Sequence, residues 1–134
     1  MNVTYSIDKA SRIVYVNYTG NPDFDEWANT MLALFHDANF ETGFSFILDR
    51  HLVTIAPTTE YIEKVAAFVR NHPIELGKSR TAIVVSEKSS FGMVRMSQGL
   101  LNDTEHIKVF TDIEKAKQWL DQFKTIDPPT NQSG

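Results

Sequence analysis

Cysteine is absent from the 134 residues, which removes disulfides, thiolate metal sites and cysteine nucleophiles together. No apolar run approaches the roughly 18 residues a membrane-spanning helix needs. Basic residues are not in surplus either: 13 Lys and Arg against 17 Asp and Glu leave a net charge of −4. Nucleic-acid binding through phosphates requires clustered cations, so no nucleic-acid partner is expected. Glycine and proline are few, six and five, beside 42% hydrophobic and 22% charged residues. Those proportions exclude collagenous and disordered chains. What remains is an ordinary globular chain of 15.2 kDa, the size of one domain. From Val3 the residues alternate where a secretory leader would need a basic start and an unbroken apolar stretch. A cytoplasmic location with no membrane insertion is the resulting expectation.

Val3, Tyr5 and Ile7 alternate with Thr4, Ser6 and Asp8, the period of a half-buried strand. The polar Asp8–Ser11 turn and the run Ile13–Tyr18 complete an antiparallel hairpin. Asp23, with Glu26 three residues on, predicts the start of a helix whose apolar face is Phe24, Trp27, Met31, Leu34, Phe35 and Ala38. Phe44–Leu48, ending at Asp49, reads as a strand covered on both faces. Pro57 and Thr58 open a second helix with the stripe Ile62, Val65, Ala66 and Val69, stopped at Asn71-His72-Pro73. Thr81–Val85 is a further buried strand, and Ser89-Ser90 a start for a third helix. Ile107–Phe110 is the last strand, after which Thr111 and Glu114 form a capping-box pattern ahead of Ile113, Ala116, Leu120 and Phe123. The order predicts one α/β domain over residues 1–125: a mixed, largely parallel central sheet with an N-terminal antiparallel hairpin and about four helices. Residues 126–134 read as a disordered polar tail.

This order resembles the STAS and SpoIIAA-like domains, the fold of anti-sigma-factor antagonists. The likeness is nearest to small bacterial SpoIIAA-like proteins of unassigned function. It is carried by Arg80-Thr81-Ala82-Ile83-Val84-Val85, by Phe91-Gly92-Met93-Val94-Arg95-Met96, and by the stretch from Ile107 to Leu120 that closes a strand in Val-Phe and a helix in Trp-Leu. The resemblance implies a non-enzymatic regulatory or protein-interaction role. Antagonists of that family carry a phosphorylatable serine in an Asp-Ser-Ser-Gly-like turn, whereas Ile55-Ala56-Pro57-Thr58-Thr59-Glu60 stands here. Thr58 and Thr59 are the candidate phospho-acceptors, with helix capping as the plain alternative.

Asp49-Arg50-His51 falls just past the end of a central strand, where open α/β sheets place ligands. The alternative is that Asp49 caps loop N–H groups while Arg50 and His51 face solvent. The four histidines, His36, His51, His72 and His106, lie in separate segments, so no metal site is indicated. His36 is expected to meet the last carbonyls of the first helix. No dinucleotide fingerprint, Walker loop or nucleophile elbow occurs, and no cofactor is expected. Phe91, Met93 and Met96 are either core or an adaptable surface for a partner, a ligand or a second copy in a homodimer. A small-molecule or lipid carrier is the alternative function, with Phe91, Met93, Met96, Trp27 and Phe35 as pocket residues.

Overall fold

The structure, a computed structural model, describes residues 2–53, 55, 57–76, 79–86 and 106–126. Its strands are β1 (Val3–Asp8), β2 (Ile13–Tyr18), β3 (Ser45–Asp49), β4 (Thr81–Val84) and β5 (Ile107–Phe110). The helices are α1 (Phe24–Phe35), α2 (Thr59–Arg70), α3 (Pro73–Leu76) and α4 (Ile113–Ile126). The five strands lie in the order β1-β2-β3-β4-β5, antiparallel between β1 and β2 and parallel thereafter. The α/β class and the mixed sheet are those the pattern predicts. The third predicted helix, its Phe91, Met93 and Met96, the Phe123 side chain and the tail from 127 lie outside the described residues.

Alternation along each strand sends one set of side chains to each face of the sheet. On one face Val14, Val16, Tyr18 and Phe46 pack with Trp27, Met31 and Leu34 of α1 and Phe68 of α2. On the other face Ile13, Ile47, Ala82 and Val84 meet Ala116 and Leu120 of α4. Ile47 and Val14 are fully buried because the central strands are covered on both sides. An aromatic cluster fills the gap between α1 and α2. Phe68 meets Trp27 edge-on at 5.1 Å between centroids and stacks on His72 at 4.0 Å.

The local signals held in most places and failed in instructive ones. Asp23 caps α1 by accepting from the Glu26 N–H at 2.7 Å, but the Glu26 carboxylate accepts from the Asn2 N–H instead of closing the box. Helix α1 ends at Phe35, and Ala38 is exposed beyond it. The His36 ring Nδ1 donates to Leu32 O at 2.8 Å, as expected, and the Tyr5 hydroxyl donates to Asp37 at 2.8 Å, turning the chain away. The Asn39 N–H and then Tyr5 hold the Asp37 carboxyl below the usual carboxylate value of 3.8. At the start of α4 the cap is Asp112, which accepts from the Glu114 N–H at 2.8 Å, so Thr111 is displaced from that role by one residue. The hairpin turn uses Arg12 at φ 61°, a left-handed conformation in a residue that carries a Cβ.

Candidate functional site

The parallel strands β2, β3 and β4 all end at one edge of the sheet, and the loops after β2 and β3 meet there. Arg50 is the residue that ties them. Its backbone N–H donates to Val84 O at 2.8 Å, fixing the end of β3 against β4. The next residue in an alternating strand points to the opposite face, so Asp49 and Arg50 diverge. The Arg50 guanidinium lies 4.8 Å above the Tyr18 ring and donates from Nη2 to Asn21 Oδ1 at 2.5 Å. Asn21 in turn donates to Ile55 O at 2.8 Å. The 19–23 and 50–58 loops are thereby joined through one side-chain amide.

Tyr18, buried under this cation, accepts a hydrogen bond from Trp27 Nε1 at 3.2 Å. Burial pushes its hydroxyl pKa above 10.0, against the opposing influence of the Arg50 charge. Tyr61 on α2 is pushed up as well, by burial first and by the neighbouring Tyr18 next. Both phenols are therefore neutral through the physiological range.

On the other face, Asp49 Oδ1 accepts from the His51 backbone N–H at 3.2 Å and contacts the His51 ring Nδ1 at 2.5 Å. Asp49 thus caps its loop. Arg50 is half-buried and stacked, which corrects the expectation that it faces solvent. His51 is exposed, as that reading requires. The three residues are adjacent in sequence but do not converge on one point. The sheet order also bears on this site. Ligand crevices in open α/β sheets form where the strand order reverses, and among the described residues the order does not reverse.

The residues that do come together are on the β3–α2 side. A cleft of about 420 Å³ is lined by Asn21, Asp23, Ile55, Thr58, Tyr61 and Lys64 among others. Thr58 caps α2, its hydroxyl accepting from the Tyr61 N–H at 3.1 Å, and Thr59 is the first helical residue. Both are exposed. Beside them stand two large apolar side chains in the open, Leu52 at 59% and Ile55 at 73% exposure. Comparison with protein-family models, curated proteins and solved structures finds no match.

Sequence reasoning located Asp49, Arg50, Thr58 and Thr59 but missed Asn21, Tyr18 and Tyr61 as parts of the same end. Gly20-Asn21-Pro22 reads only as a chain break. Its one usable signal is an amide side chain, able to donate and accept at once, in a turn beside a strand end. Among the described residues no three His, Asp or Glu side chains gather as metal ligands, and no helix is long and apolar enough to cross a membrane.

Proposed function

We propose that this chain is a non-enzymatic docking domain of the STAS/SpoIIAA-like type, and that its docking surface is the loop between β3 and α2 with the start of α2. The observation that carries the reading is the pair Leu52 and Ile55, both exposed and three residues apart, on a loop where the Ile55 carbonyl is held by the Arg50–Asn21–Ile55 chain. Large apolar side chains held in water lose free energy that a partner recovers by covering them. Pinning the loop beforehand reduces the ordering cost of that contact. The mixed sheet with its N-terminal hairpin supports the family resemblance at the level of architecture. Thr58 is the switch position of this reading: a phosphoryl group there would sit at the positive end of the α2 dipole.

The test is a chemical cross-linking pull-down from the source cytosol with wild type and the double variant Leu52→Asp/Ile55→Asp, each checked for an unchanged circular dichroism spectrum. A partner captured by wild type is expected to be lost from the double variant, and Thr58→Glu is expected to alter its recovery. An identical partner list for a folded double variant removes this surface from the proposal.

A further inference from the structure

A cavity of about 140 Å³ lies between the two-helix layer and the sheet, toward the amino ends of β4 and β5. Its walls are mainly apolar, with Trp27 and Met31 from α1, Val65 from α2, and Ile83 from β4. Ser79 also lines it. Ser79 is 7% exposed, and its Oγ has no hydrogen-bond partner among the described residues. Among the described residues it is also the one polar side chain that is buried.

Those two facts point the same way. A buried hydroxyl without a partner is costly, and a serine in an otherwise apolar wall is replaced by alanine or valine without loss of packing. Water is a poor substitute, because a water in such a space needs two to four polar partners and, among the described residues of the wall, Thr81 is the one other hydroxyl. A dry apolar cavity of about 150 Å³ holds one benzene-sized molecule. We infer that this cavity is a binding site for a small organic ligand, an apolar ring of about six carbon atoms bearing a single hydroxyl that pairs with Ser79. Serine both donates and accepts, so a hydroxyl on the ligand completes its bonding in either sense. This inference goes beyond the docking reading and does not depend on it, since the cavity and the Leu52–Ile55 loop share no residue.

Phenol is the probe and benzene its control. The full chain has two tryptophans, and Trp119 is on the α4 face, so a Trp119→Phe background leaves Trp27 as the reporter on the cavity wall. Saturable change in Trp27 fluorescence with phenol is expected, together with a rising thermal midpoint. Ser79→Ala is expected to weaken phenol about tenfold, one hydrogen bond's worth, while leaving benzene unchanged. Val65→Phe is expected to abolish both by filling the space. Should that variant fail to fold, Ser79→Leu fills the cavity from the sheet side. Absence of saturable binding to wild type overturns the proposal. Phenol binding that survives Ser79→Ala undiminished, or survives a folded filling variant, overturns it equally.

Discussion

Tyr18 shows how much one side chain can be asked to do. Its ring supports the Arg50 cation, its hydroxyl accepts from Trp27, and it is shut away from water. Because its folded pKa is raised above 10.0, the neutral phenol is the stabilised form. Its contribution to stability is fully present below pH 10.0 and is lost as pH rises through the folded-state value. Tyr61 adds to the same alkaline loss. Tyr18→Phe is therefore expected to cost about 1 kcal/mol near neutrality, through the lost hydrogen bond, and less above pH 10. Urea unfolding at the two pH values measures the difference. A constant cost at both would show that ionisation of this phenol is not what weakens the fold in base. None of this is legible from Tyr18 as a letter. Alternation gives its face, but the guanidinium above it comes from a loop 32 residues away, and only the β2–β3 register brings the two together.

At the scale of elements, the helices were the most legible parts of the sequence and their ends the least. The stripes of α1, α2 and α4 turn to the core, with Trp27, Met31, Leu34, Ile62, Ala66, Ala116 and Leu120 buried and Phe24, Phe35, Val65, Val69 and Ile113 half-buried, because a period of three to four residues leaves no other face for it. Phe68 escaped because it lies beside the α2 stripe, drawn in by Trp27 and Phe35 from a neighbouring helix. Helix ends are settled by single hydrogen bonds, and adjacent polar residues compete for them. Thr111 and Asp112 are such competitors. With Asp112 as the cap, Asp112→Ala is expected to cost about 1 kcal/mol and Thr111→Ala only a few tenths. Chemical denaturation of the two variants decides it, and the reverse ranking would place the cap at Thr111. The candidate site followed the same rule. Its residues on β3 and at the α2 cap carried recognisable types, whereas Asn21 acquires its role only through the fold.

The whole molecule is a sheet with helices on two faces, and the two covers are unequal. Two helices, rich in aromatic rings, close one face; on the other, among the described residues, α4 packs over the centre. Leu120, only 1% exposed, is central to that packing. Leu120→Ala is expected to destabilise the fold by about 2–5 kcal/mol, enough to threaten a domain whose entire margin is about 5–15 kcal/mol. A urea midpoint within error of wild type would mean that α4 is not needed to hold the sheet. The α/β class itself was readable throughout, since alternating strand and helix patterns allow few arrangements of the chain.

The unbroken strand order has one more consequence, which concerns birth rather than function. During synthesis the hairpin leaves the ribosome ahead of the other described strands, and it is complete by Tyr18. Each later strand then emerges to find its pairing edge already built: β2 for β3, β3 for β4, β4 for β5. None of the described strands has to wait for a partner still being translated, and no finished edge among them is reopened to admit a latecomer. Such an order lets the sheet extend in the direction of translation, each parallel pairing closing a single crossover, and loop-closure entropy grows only slowly with the length of each.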